Sequence, residues 1–169
     1  MTGENYVQVF KDVAAASPNI KLYGPDGVAE EAFTNPKKGG IPAEIAKRTK
    51  ITVATLGLEE FKRRKNAKAE KFFTDFEQEY GDTSPDPYAI YGYETMALAL
   101  DTLKAVGDKA NDRAAVVQQL VGNTKNRESV LGTYSIDKNG DTTLTDYGLY
   151  TINEAGEPEF QKVLKAQGT

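Results

Sequence analysis

The residues with the most obvious chemical potential are acidic. Glu30 with Glu31, Glu59 with Glu60, and Asp82 near Asp86 could supply acid–base pairs. Carboxylates spaced this way also form solvated helix faces and partners for the positive end of a helix. The groups an enzyme would set beside them are missing. The sequence has no histidine and no cysteine, which removes the commonest general base, the commonest transition-metal ligand, thiolate chemistry and disulfides. No serine lies in a GxSxG context. DKNGD (137–141) places Asp137, Asn139 and Asp141 at alternate positions, as a calcium loop does. Such a loop needs glycine sixth and glutamate twelfth, where this sequence has Thr142 and Gly148, so the segment reads as a hairpin turn. GPDG (24–27) and PKKGG (36–40) fit neither phosphate-binding glycine pattern. The expectation is a protein that is not an enzyme and calls for no metal and no cofactor.

Two further groups bear on binding. Lys62, Arg63, Arg64, Lys65 and Lys68 form the one basic cluster. It lacks interleaved aromatics for base stacking and is flanked by glutamates, so it reads as a solvated helix surface. With a net charge of −4, nucleic acid is not an expected partner. Tyr88, Tyr91 and Tyr93 open a long helical stretch beside a proline-bounded turn. They serve either as packing groups with phenols reaching solvent or as the lining of a ligand cleft.

The elements that must position these groups follow from periodicity. At 169 residues, 39% of them hydrophobic and 27% charged, the chain has the size and make-up of a single globular domain. No apolar run approaches the roughly 20 residues that span a bilayer. The opening MTGENYVQVF lacks the charged-then-apolar pattern of a signal peptide, and none is expected in it. In 4–16, Tyr6, Val9, Phe10 and Val13 predict one buried helix stripe, stopped at Ser17-Pro18-Asn19. IKLYG (20–24) predicts a short strand, 28–35 a short helix, and 41–48 a helix with proline at its first position. KITVATL (50–56) is the strongest strand signal. The charged stretch 58–71 runs into FFTDFEQEYG, with Phe72, Phe73, Phe76 and Tyr80 on one stripe and Gly81 as a cap. DTSPDP (82–87) is a turn, 88–107 the longest helix, and 112–123 a helix capped by Asp112. VLGTYSI (130–136) and TDYGLYTI (145–152) read as extended segments joined through the Asn-Gly turn, and NEAGEPEF (153–160) as a further turn. This order predicts α/β layers with four or five strands, and three consecutive helices with little sheet to cover them.

From IKLYGPDGVAEEAF (20–33) onward the sequence resembles the type I periplasmic-binding fold, specifically the branched-chain amino acid (Leu/Ile/Val) solute-binding subunits of ABC transporters. KITVATL, KFFTDFEQEYG, DPYAIYGYETMALALDTLKAVG, DRAAVVQQL and VLGTYSIDKNGDTTLTDYGLYTI follow in the order of that family. The stretch 57–69 fits it least. The resemblance implies a layered α/β/α, flavodoxin-like lobe that is incomplete beside the family's two-lobe fold, this chain corresponding to its C-terminal half. Residues 1–56 and 136–169 would belong to the C-terminal lobe, and 57–135 to helices and a crossover of the N-terminal lobe.

By the same resemblance, Asp26 matches an acidic position that meets a ligand's α-ammonium, and Tyr88 an aromatic position covering an apolar side chain. Tyr91 and Tyr93 stand behind it. The implied partners are an amino acid and ABC permease subunits, and the implied location is outside the cytoplasmic membrane, periplasmic or cell-surface. An open sheet edge and uncovered helix faces also imply a homo-oligomer for this chain. The alternative is a structural or assembly module, a fragment or engineered half with no ligand of its own.

Overall fold

The computed structural model describes residues 3–83 and 85–166, with side chains from Tyr6 onward. In chain order the elements begin α1 (Gly3–Ala16), β1 (Leu22–Gly24), α2 (Glu31–Thr34), α3 (Ala43–Ala46) and β2 (Thr49–Val53). There follow α4 (Leu58–Arg63), α5 (Ala67–Tyr80), α6 (Ala89–Val106) and α7 (Arg113–Val117), which a π turn extends over Gln118–Gly122. The chain closes with β3 (Arg127–Ser129), β4 (Gly132–Tyr134), β5 (Asp146–Ile152) and β6 (Pro158–Lys165). The residues up to Gly57 together with those from Asp146 form one compact unit, and Leu58–Thr145 form another.

The first unit is built on a four-stranded sheet in the order β1-β2-β5-β6. β1 and β2 are parallel, Gly24 lying opposite Ile51, whereas β5 runs antiparallel to both β2 and β6. Ile51, Val53, Tyr150 and Ile152 place their side chains in the core against Phe10, Phe33 and Ile41. Phe10 meets Phe33 edge to face at 4.9 Å, a favourable aromatic geometry. The buried stripe of α1 is Val7, Phe10 and Ala14, whereas Val9 and Val13, expected inside, are 52% and 37% exposed. α1 carries apolar residues over a wider arc than its neighbours cover, so the face that packs is the one its contacts with α2 and α3 select.

The helices expected over 28–35 and 41–48 shorten to one turn each. Asn35 ends the first and accepts a hydrogen bond from the Lys37 amide at 3.0 Å. Gly39 then turns the backbone at φ +90°, a conformation that costs glycine least. Gly40 passes so close to Phe33 that a Cβ would lie 2.4 Å from its carbonyl oxygen. Pro42 precedes the second helix rather than starting it. The segment 153–160, read from the sequence as a further turn, runs into a full strand, β6, from Pro158. Its Glu, Gln and Lys residues fit an outer strand that faces water, which hides it from an apolar-run reading.

The second unit holds α4–α7 and a two-stranded hairpin, β3 with β4. The charged stretch after 57 breaks into two helices, because Lys65 adopts φ +57°. Asn66 then caps α5, accepting from the Ala69 amide at 3.1 Å while its own amide donates to the carbonyls of Ser129 and Val130. Gly81 ends α5 in the left-handed conformation, and Asp112 accepts from the amides of Ala114 and Ala115 at the start of α7. The turn expected at 82–87 includes Ser84, which lies outside the described residues. The Asn-Gly turn does not join two long strands. Ile136 and Thr142 make a single bridge across it, while β4 pairs back with β3 and β5 crosses to β2.

Two buried threonines of the first unit differ in one respect. The Thr34 hydroxyl donates to the Gly156 carbonyl, 122 positions away in sequence. Among the described residues the Thr55 hydroxyl is buried without a hydrogen-bond partner, although the Thr55 carbonyl accepts from the Tyr150 phenol at 3.2 Å. Valine in place of each threonine therefore has opposite consequences. Thr34→Val is expected to lower stability by about 1–3 kcal/mol, whereas Thr55→Val leaves it unchanged or raises it by about 1 kcal/mol. Urea denaturation of the two variants beside the parent chain checks the contrast; equal losses would contradict it.

Candidate functional site

The first candidate residue sits on a turn fixed from beneath. β1 ends at Gly24, where a Cβ would come within 2.3 Å of Val28 Cγ2, so only glycine lets the chain double back. Pro25, Asp26 and Gly27 form a tight turn closed by the Val28 amide on the Pro25 carbonyl (3.2 Å) and the Ala29 amide on the Asp26 carbonyl (2.9 Å). Val28 and Ala29 are buried, whereas Asp26 is exposed. Two core residues thus anchor a loop whose carboxylate faces outward. Because β1 and β2 are parallel, their carboxyl ends share one edge of the sheet. Asp26 follows the end of β1, and Thr55 follows the end of β2. Open α/β sheets take ligands at this edge, where the strands end and loops diverge.

Tyr88 and Tyr91 share the first turn of α6, in the other unit. Asp86 fixes that turn by accepting from the Tyr88 amide at 2.8 Å. Tyr88 is exposed and Tyr91 half-buried, while Tyr93 packs its ring on Phe72 at 5.3 Å and so has a packing role. The structure brings Tyr88 and Tyr91 together on one helical turn and places Asp26 in the first unit.

A polar network anchors α6 and escaped the sequence reading. Glu94, buried, accepts from Arg127 Nε at 2.6 Å and from the Tyr134 hydroxyl at 2.8 Å, and Asp101 takes Arg127 Nη1 at 2.8 Å. Burial, and then the hydrogen bond to Glu94, push the Tyr134 phenol up to about 12. Burial works against the charge on Arg127, but its bonds to Glu94 and Asp101 outweigh that and strengthen its hold on the proton. The one available signal was Glu94 and Asp101 seven residues apart on a largely apolar helix.

The acidic pairs and the basic cluster are occupied structurally. Glu31 pairs with Lys38, and Glu59 with Lys62 at 2.7 Å. Glu60, buried, takes Arg63 at 2.6 Å and Arg64 at 2.7 Å, so the cluster is partly neutralised from within. Asp137 folds its own turn, accepting from the Asn139 and Asp141 amides at 2.8 and 3.0 Å, with Gly140 at φ +91°. The hydrogen bonds from Asp141 and Asn139 hold its carboxyl below the usual aspartate range. Among the described residues no group of three or more acidic side chains is placed to hold a metal ion, and no helix is long and apolar enough to cross a membrane.

A mixed sheet under helices, with parallel β1 and β2 at one side and antiparallel β5 and β6 at the other, defines an α/β domain. The chain belongs to the periplasmic binding protein family, whose model matches residues 1–157. Its fold is similar to part of that of a leucine-binding protein, LivK, from Thermotoga maritima, at TM-score 0.77 and 20% identity over 97% of this chain and 43% of that one. It is also similar to part of the branched-chain amino acid transporter substrate-binding protein LivJ from Streptococcus pneumoniae in complex with isoleucine (TM-score 0.73, 20% identity, 98% and 43% covered). A solute-binding protein of an ABC transporter from R. palustris, in complex with benzoate, also matches (TM-score 0.69, 20% identity, 96% and 41%). The chain thus spans about two-fifths of the length of these structures. No curated protein matches the sequence.

The Glu60 pairings have a measurable pH signature. The hydrogen bond from Arg63 is the largest influence on its carboxyl; burial opposes it, and Arg64 adds to it, leaving the group at about 2 against an ordinary 4.5. Ionised Glu60 is therefore favoured more in the folded chain than in the unfolded one. Its contribution is complete above about pH 4.5 and drains away as the pH falls toward 2. Urea midpoints of the parent and Glu60→Gln are expected to differ most near neutral pH and to converge on acidification. A gap that stays constant would mean that Glu60 acts by packing alone.

Proposed function

We propose that the chain is the C-terminal half of the capture subunit of an ABC importer, acting outside the cytoplasmic membrane on an amino acid of the branched-chain kind. In this reading Asp26 meets the ligand's α-ammonium, and Tyr88, with Tyr91 behind it, covers the apolar side chain. The observation that carries it is the Asp26 turn: an exposed carboxylate, held by two buried residues, at the carboxyl edge of a parallel strand pair. A carboxylate so placed makes a charge-assisted hydrogen bond to an ammonium once water is excluded. The solved relatives whose descriptions name leucine and isoleucine support an amino acid over other solutes, and the benzoate complex marks an aromatic acid as the competing ligand. Permease subunits are the protein partners this role requires. The second reading, an assembly module without a ligand of its own, is favoured by one fact, that the chain spans only two-fifths of its solved relatives.

Thermal melts against single amino acids, with benzoate alongside, separate these readings. A ligand at about 100 times its dissociation constant adds about 2.7 kcal/mol. For a chain of this size that raises the melting temperature by roughly 5–10 °C. The expected result is a shift with leucine, isoleucine or valine that Asp26→Ala abolishes and Tyr88→Ala reduces. A shift with benzoate alone transfers the site to aromatic acids. A cooperative melt that no millimolar ligand moves favours the assembly module.

A further inference from the structure

The DKNGD turn brings together both partners of a reaction that needs no second molecule except water. Asn139 is the only asparagine in the sequence that a glycine follows. Asparagine is a chemically labile residue, and a glycine after it puts no side chain between its carboxamide and the next backbone nitrogen. The carboxamides of Asn35, Asn66, Asn123 and Asn153 are all tied into hydrogen bonds. Asn139 is exposed, and among the described residues it bonds only through its backbone amide, to Asp137 Oδ1 at 2.8 Å. Its carboxamide is therefore free to rotate. Gly140 stands at φ +91°, and a Cβ there would meet nothing within 4 Å, so water has open access. The Gly140 amide reaches the Asp137 carbonyl at 3.2 Å, a longer bond than the 2.9 Å from the Asp137 amide to the Asp141 carbonyl. The nitrogen that would attack is thus loosely held. The frame around it is fixed, by Asp137 accepting from the Asp141 amide at 3.0 Å and by the bridge from Ile136 to Thr142.

We infer that Asn139 is a site of self-modification, at which the folded turn lets the Gly140 nitrogen close on the Asn139 carboxamide and turn it into an acid. The Gly140 nitrogen forms a bond to Asn139 Cγ and gives up its proton. The bond from Cγ to the side-chain nitrogen breaks, and that nitrogen leaves with the proton as ammonia. Water then opens the cyclic imide at one or other of its carbonyls. Opening on one side gives an ordinary aspartate. Opening on the other gives isoaspartate, in which the backbone runs through the former side-chain carbon. No electron is transferred and no other reagent is consumed. Either product sets a further carboxylate beside Asp137 and Asp141 and makes the net charge one unit more negative than −4. Aspartate leaves the backbone spacing unchanged. Isoaspartate lengthens the backbone by one atom ahead of the Gly140 nitrogen, which draws the Gly140 and Asp141 amides away from the Asp137 oxygens. The site is thus a slow, irreversible mark of a molecule's age, independent of any ligand at Asp26.

Peptide mass mapping of the purified chain, held in warm neutral buffer and sampled over time, tests this. The peptide containing Asn139 is expected to convert from amide to acid before any other asparagine peptide, and the intact chain to elute later on anion exchange. A parallel sample in urea gives the rate the sequence has without the fold. The folded rate should lie within about tenfold of it, a barrier difference below about 1.4 kcal/mol. In urea, where folding does not enter, Gly140→Val should slow conversion by about tenfold or more, because a branched side chain obstructs the nitrogen. Conversion confined to urea would overturn the inference, since the folded turn would then protect the site. Earlier conversion in the folded chain at the exposed Asn19 or Asn111 would overturn it too. The structural consequence has its own readout. Asn139→Asp, which reproduces the aspartyl product, should melt within about 2 °C of the parent chain. The purified isoaspartyl form should exchange its Gly140 and Asp141 amide hydrogens about tenfold faster than Asn139→Asp does. Equal exchange would mean that the turn absorbs the longer backbone, and would overturn that half of the inference.

Discussion

The antiparallel pairing of β2 with β5 is the contact on which the rest of the molecule depends. It sets Val53 opposite Gly148, so that everything between must leave the sheet and return to it. The closeness of the two strands' ends is extreme. A Cβ on Gly148 would lie 2.4 Å from the Thr55 carbonyl oxygen and 2.5 Å from the Tyr150 ring, and one on Gly57 would lie 2.8 Å from the Phe160 side chain. Both passages of chain out of the sheet are thus packed at glycine positions against the same aromatic pair, Tyr150 and Phe160, whose rings meet at 5.5 Å. Closing so long an excursion costs entropy only logarithmically in its length, and a well-packed sheet core readily offsets it.

Within the excursion, polar rather than apolar contacts do the locating. Glu94 on α6 and Arg127 on β3 are far apart in sequence, and Asn66 reaches the β3–β4 turn from the start of α5. Each is a buried or half-buried group with its bonding satisfied, a combination that fixes one arrangement because any slip leaves a partner stranded. The first turn of α6, with Tyr88 and Tyr91, inherits its position from this network and from Asp86. A site built there would rest on a rigid element.

Much of this was legible in the residues. Gly81 and Asp112 announce helix ends by chemistry that works over three or four residues, and both act as read. The β-branched run at 51–53 is a central strand, with Ile51 and Val53 turned into the core and Lys50 exposed, the period-two alternation of a sheet packed on one face. What the sequence hid was decided at longer range. β6 alternates polar residues on an outer edge, β3 is three residues long, and the face of α1 is chosen by helices it meets only in the fold. The Asp26 turn was visible as GPDG, and the tyrosines as a cluster. The Glu94–Arg127–Tyr134 network was not, since no local pattern links a helical carboxylate to a guanidinium 33 residues on.

The first unit is discontinuous in the chain, and synthesis runs in one direction. When Gly57 has emerged from a ribosome, only β1 and β2 of its four strands exist, and the two that complete the sheet begin at Asp146. At about 5–20 residues per second, several seconds of translation separate the two halves of one core. Leu58–Thr145 is complete during that interval and can settle first. The nascent Ile51 and Val53 meanwhile wait with one side unpaired, which makes this the stretch of synthesis when a chaperone has most to hold.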